Sequence, residues 1–175
     1  GSTVTSCSAG YDGGVVYALD NSGAVSIIDS DVAGCSAGRD GGVVYAYNSG
    51  AVSIIGSNLT SCSAGNNGGV VMAGGSGAVS IIGTTVSSCS AGNNGGVVTA
   101  RYSDAVSITS SDVSGCSAYF GGVVMADSEV SGCSAGTIGG TGPGFGAVVY
   151  AKESGAVSIT GSTVSGCSLQ RCGLD

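Results

Sequence analysis

A parallel β-helix is the fold that this 175-residue sequence predicts, and three observations predict it. One phrase, clearest from Ser57 to Gly83 as SNLTSCSAGNNGGVVMAGGSGAVSIIG, returns every 27 or 28 residues through the first two-thirds of the chain. Self-similarity at that period marks a solenoid, in which each unit buries its apolar side only by stacking on its neighbours. Within each copy, Val- and Ile-rich runs of four to six residues are bounded by Gly, Asn, Asp or Ser, and helix formers are scarce; those are strand signals. No hairpin pattern joins the runs, so each strand is expected to pair with its counterpart one coil away, at about 4.8 Å.

The expected object is all-β: a single solenoid over residues 1–175 with three short strands per coil and about seven coils, a rod roughly 30 Å long. The copies read 2–29, 30–56, 57–83 and 84–110, then 111–127, which is short, 128–161, which is long, and 162–168, which is partial; residues 169–175 form a cap or tail. Copy five lacks the whole Ser-Gly-Ala-Val-Ser-Ile segment, and copy six carries the insertion TIGGTGPGF at 137–145. Two readings stand side by side: independent loop drift, or an insertion that folds over the gap its neighbour leaves.

The elements of one coil follow in order. In the first copy the apolar segments are Val4 to Ala9, Gly14 to Ala18 and Ala24 to Ile28. Asp12-Gly13-Gly14, Asp40-Gly41-Gly42, Asn67-Gly68-Gly69 and Asn94-Gly95-Gly96 place an Asx and then Gly where the backbone is expected to take positive φ. Ser22-Gly23, Ser49-Gly50, Ser76-Gly77 and Ser154-Gly155 are read the same way, with Asp104 in place of the Gly in the fourth copy. The Asx residues are taken as turn formers, because two of the four are neutral amides and calcium sites want carboxylate-rich loops.

Alternation along a strand assigns faces. In Ala-Val-Ser-Ile-Ile the rows of Val25 and Ile27 are expected inside and the row of Ser26 outside. In Gly-Gly-Val-Val-Tyr-Ala the unvarying Ala row places Val16 and Ala18 inside. Val15, Val43, Val70, Val97, Val123 and Val148 are then expected to form an exposed apolar ladder beside Tyr17, Tyr45, Met72, Met125 and Tyr150. A strip of that kind marks an interaction site, so this face is expected to mediate self-association, with the rod ends inviting head-to-tail stacking.

Gly-Gly-Val-Val-Tyr, followed in each coil by Cys-Ser-Ala, resembles the repeats of polymorphic outer-membrane proteins and related autotransporter passengers. Those carry Gly-Gly-Ala-Ile-Tyr and Phe-x-x-Asn-x-Ala motifs. Val4-Thr5-Ser6-Cys7-Ser8-Ala9 matches the second with Val for Phe, and here Cys stands systematically where that family has Asn. The resemblance covers nearly the whole chain and implies a right-handed β-helix at a cell surface, used for adhesion or as a stalk.

Eight Cys occur, at 7, 35, 62, 89, 116, 133, 167 and 172, and the first seven hold one place in successive copies. Without any His and without CxxC spacing, no metal or cofactor is expected. Rung neighbours fall within the Cα window of a disulfide, about 4.4–6.8 Å. That permits Cys7 with Cys35, Cys62 with Cys89, Cys116 with Cys133 and Cys167 with Cys172; the alternative is a buried ladder of free thiols.

Net charge is −7, with only Arg39, Arg101, Lys152 and Arg171 basic, so nucleic acid is not an expected partner. The longest apolar runs are far short of the roughly 20 residues of a membrane helix, so no insertion into a membrane is expected. The carboxylates follow turn positions and do not converge, so no enzyme is expected. Asn58-Leu59-Thr60 is a candidate N-glycosylation site. The expected function is a non-enzymatic, extracellular or cell-surface building block of a fibre or appendage, its partner another copy of itself. A cell-surface adhesin or glycan-binding stalk is the alternative. Ice binding is disfavoured because the row Thr3, Asp31, Asn58, Thr85, Asp112, Glu129, Thr163 is mixed and charged.

Overall fold

The structure is a computed structural model that describes residues 1–128, 134–135, 138–140, 149–153 and 156–169. Every described element is a β-strand, every strand pair is parallel, and the chain winds as a β-solenoid. Four complete coils open the stack. The first consists of β1 (Thr3–Thr5), β2 (Ser8–Ala9), β3 (Val16–Leu19) and β4 (Val25–Ile28). The second has β5 (Asp31–Ala33), β6 (Ser36–Ala37), β7 (Val44–Tyr47) and β8 (Val52–Ile55). The third has β9 (Asn58–Thr60), β10 (Ser63–Ala64), β11 (Val71–Gly74) and β12 (Val79–Ile82). The fourth has β13 (Thr85–Ser87), β14 (Ser90–Ala91), β15 (Val98–Arg101) and β16 (Val106–Thr109). Counterparts pair in unbroken register, as in Val25↔Val52 and Val52↔Val79.

The first apolar segment of each copy is divided into a three-residue and a two-residue strand. A left-handed residue makes the break, with φ of 55° at Ser6, 62° at Gly34, 52° at Ser61 and 55° at Ser88. The chain turns there, and the following Cys occupies the corner.

The deletion in copy five and the excess in copy six are two halves of one arrangement. β17 (Asp112–Ser114), β18 (Ser117–Ala118) and β19 (Val124–Ser128) continue the stack, but the next described strand is not the one that sits on β16 in the third side. That side is supplied later in the chain. β22 (Val149–Glu153) pairs with β19, β23 (Val157–Thr160) sits directly on β16 with Val157 beside Val106, and β24 (Thr163–Leu169) sits on β17 and β18. The strand of copy six itself closes the gap. Of the insertion, Ile138–Gly140 forms β21, which pairs with β24, and β20 (Ser134–Ala135) pairs with β23. The rest of 137–145, together with Cys133, Val148 and Cys172, lies outside the described residues.

The core is a file of Val, Ile, Leu, Ala and Cys along the axis. Val52, Ile54, Val79, Ile81 and Ile108 have no exposed surface, while Ser53, Ser80 and Ser107 are half-buried on the outside, as alternation requires. The expected Val ladder is overturned: Val43, Val70, Val97 and Val123 are fully buried, and Val15 packs against the core. The physical reason is the corner. Val15 and Val43 lie in the bend before the strand, where the N–H groups of Val15 and Val16 both donate to the Val43 carbonyl and those of Val43 and Val44 to the Val70 carbonyl. Strand alternation does not extend through that bend, so both valines turn inward. In the neighbouring row Tyr17 is well exposed, Tyr45 is half-buried and Met72 and Thr99 are buried, and Met125 and Tyr150 continue the row in register.

The turn glycines also divide by role. In each Asx-Gly-Gly the first Gly is left-handed, with φ of 67° at Gly13 and 63° at Gly68. The second is not. At Gly69 a Cβ would lie 2.1 Å from the Gly96 carbonyl oxygen and 2.7 Å from that of Ser90, so this position belongs to Gly because one coil's backbone lies against the next. Gly23, Gly50 and Gly77 also lack positive φ; in that turn the left-handed residues are Asn48, Gly75 and Tyr102.

Candidate functional site

Three columns of side chains run along the solenoid at its corners. Buried polar groups need partners, and at a corner the strand ladder alone does not supply them. The first column is Ser30, Ser57, Thr84, Ser111 and Ser162. Each hydroxyl donates to the carbonyl two residues earlier, at 2.8–3.0 Å. It also accepts the backbone N–H of its counterpart in the preceding coil: Ser30 N–H to Ser57 Oγ at 3.1 Å and Ser111 N–H to Ser162 Oγ at 3.1 Å. This column went unread in the sequence, although a hydroxyl residue opens every copy.

The second column holds the Asx residues, all buried. Asn94 Nδ2 donates to Asn67 Oδ1 at 2.6 Å, and Asn67 Nδ2 and backbone N–H donate to Asp40 Oδ1 at 2.8 and 3.0 Å. Arg39 closes the series, donating from Nε to Asp12 Oδ1 at 2.9 Å and lying 3.5 Å from Asp40. The hydrogen bonds to Asp12, and then its charge, raise the guanidinium pKa above its ordinary value. Burial, followed by the charges of Asp12 and Asp40, pushes up the phenol of Tyr45, which stacks on Tyr17 with ring centres 5.3 Å apart. The arrangement is a satisfied structural network. Among the described residues no group of three or more His, Cys, Asp or Glu is placed to hold a metal ion.

The third column is the cysteines. Cys7, Cys35, Cys62, Cys89, Cys116 and Cys167 stand one above another as free thiols, and all but Cys7 are buried. From Cys35 onward each Sγ donates to the carbonyl two residues earlier, at 3.4–3.6 Å. Burial raises the pKa of Cys35, and at Cys89 hydrogen bonds with Cys116 and Cys62, together with burial, do the same. The register places Cys167 on the rung after Cys116, because Ser114 pairs with Ser165 and Ser117 with Ser168. Cys133, the partner expected for Cys116, lies outside the described residues.

Two surfaces remain. Asn58 is exposed on β9, between Asp31 and Thr85. In the first coil Val4, Cys7, Val15, Val16, Val25 and Ile27 are half-buried, whereas their counterparts one coil on are closed in the core. Val4, Val15 and Ile27 line, with Val32, a depression of about 340 Å3. β1, β2, β3 and β4 are the edge strands there, each the last of its row.

The fold and these columns define a parallel β-solenoid with in-register repeats. No family model, no curated protein and no solved structure matches the chain.

Proposed function

We propose that this protein is a non-enzymatic, extracellular structural solenoid, a building block of a fibre or surface appendage that self-associates by adding coils end to end. The in-register repetition carries the reading. Each described coil receives the next through the same rows of Val, Ile and Cys and the same backbone ladders, so a coil of a second copy offers the chemistry that one coil of this chain offers another. The lateral valine strip that first suggested self-association is in the core and offers no support. Eight Cys and the exposed sequon at Asn58 support an extracellular setting.

Val4→Lys with Ile27→Lys is the test, because both positions are already half-exposed and tolerate a snorkelling side chain. The parent is expected to sediment as concentration-dependent oligomers and to show filaments by electron microscopy. The double variant is expected to keep the β-sheet circular dichroism and sediment as a monomer. A parent that stays monomeric at high concentration, or a variant that assembles equally well, overturns the reading.

The adhesin or glycan-binding reading rests on tyrosine. Tyr11 and Tyr17 are 77% and 55% exposed on the first coil, with Tyr47 exposed on the second; rings with a polar tip suit mixed apolar and polar ligands. Tyr17→Ala is expected to abolish any retention on immobilised glycans under this reading, and retention unchanged by it would remove the tyrosines from consideration.

A further inference from the structure

The cysteine column carries an inference that the order of the copies conceals. Six described thiols stand in single file, and the fifth and sixth belong to copies that are not successive in sequence. We propose that these thiols oxidise pairwise in one phase, Cys7 with Cys35, Cys62 with Cys89 and Cys116 with Cys167, so that the third bridge spans the excursion between β19 and β22. Six groups in file have a single nearest-neighbour pairing that leaves none over; the other phase strands Cys7 and Cys167 at the ends.

Rung spacing brings the Cα atoms to about 4.8 Å, inside the disulfide window. Cβ atoms in a bridge prefer about 3.8 Å, so each bond draws two rungs together by roughly 1 Å and widens the gaps on either side. That strain favours strict alternation of bridged and unbridged steps.

The chemistry is a two-electron exchange with an external disulfide such as oxidised glutathione. One cysteine thiolate attacks it, forming a mixed disulfide and releasing one glutathione thiolate. The neighbouring cysteine, its proton lost to solvent, then attacks the cysteine sulfur of that mixed disulfide. The protein disulfide forms, the second glutathione thiolate leaves, and both electrons end on the two glutathiones. Because Cys35 to Cys167 are buried, the reaction takes place as the coils form.

The four basic residues make the test direct. Trypsin cuts after Arg39, Arg101, Lys152 and Arg171, so peptide 1–39 holds Cys7 and Cys35, 40–101 holds Cys62 and Cys89, 102–152 holds Cys116 and Cys133, and 153–171 holds Cys167. The full chain is reduced, refolded with reduced and oxidised glutathione, alkylated under denaturing conditions, digested and weighed without reduction. Peptide 102–152 is expected to be joined to 153–171, with 1–39 and 40–101 each closed internally. A link between 1–39 and 40–101, an internal bridge in 102–152, or alkylation of all six thiols overturns the proposal. Cys133→Ser keeps the column intact and must preserve the link from 102–152 to 153–171; its loss in that variant assigns the bond to Cys133 and equally overturns the proposal.

Discussion

Gly69→Ala is expected to unfold the solenoid or cost it more than about 3 kcal/mol, the range reserved for severe steric and packing faults. The added methyl would sit 2.1 Å from the Gly96 carbonyl oxygen, and both atoms belong to backbones held in register by the sheets. Relief requires the rungs to separate, which breaks the ladder on each side. Gly83→Ala is the matched control. Gly83 has φ of 55° with open space around a Cβ, and the equivalent Asp29 and Ser110 take the same conformation at 48° and 50°. Only the left-handed backbone is penalised there, at about 1–2 kcal/mol. Val70→Thr should fall between, since it puts a hydroxyl in a fully buried position, for about 1–3 kcal/mol. Denaturant midpoints for the three variants check the order, and a Gly69→Ala midpoint equal to that of Gly83→Ala would sink the close-contact explanation.

Asn67→Asp is expected to produce a stability loss that depends on pH. The new carboxylate oxygen replaces an amide that donates to Asp40 Oδ1 at 2.8 Å, in a site where Asn67 is 4% and Asp40 7% exposed. Two carboxylates so placed cannot both ionise easily, so the folded-state pKa of the new acid rises by about two units, or near 3 kcal/mol at neutral pH. The sign follows from linkage: the folded state then binds a proton more tightly than the unfolded chain, so the penalty is full above the raised pKa and fades as pH falls toward the ordinary value of about 3.9. Once protonated, the acid donates to Asp40 as the amide did. The gap between parent and variant denaturant midpoints should therefore be wide at pH 7 and narrow at pH 4, while Asn67→Leu should show no such recovery. An equal gap at both values would show that Asp40 does not face the substituted group.

The period, the strand type and the inward rows of Val25 and Ile27 were legible because each depends on residues one coil apart, and the repeat displays that spacing directly. The Val15 row was misread because alternation was carried through a corner where one carbonyl receives two N–H groups. A signal against that reading was present: the row is Val in every copy, whereas the outward Tyr row changes to Met and Thr. The hydroxyl column escaped notice because Ser and Thr look like loop filler until their acceptors in the next coil are known. The stacking of Cys167 on the rung of Cys116 does not follow from counting copies, because copy five lacks a side and a later strand supplies it. No periodicity in the sequence announces that exchange.

Parallel pairing throughout has a consequence for symmetry. A stack whose strands all run the same way has two chemically different ends, so no two-fold axis can bring one end of a molecule against the same end of another with the strand direction preserved. Any contact that continues the ladders is heterologous, a translation along the axis with a small rotation, and such an operation does not close on itself. The Asx column is directional as well, since Asn94 donates to Asn67 and Asn67 to Asp40. An assembly built on these ladders is an open polymer with unlike tips, which add and lose subunits at different rates.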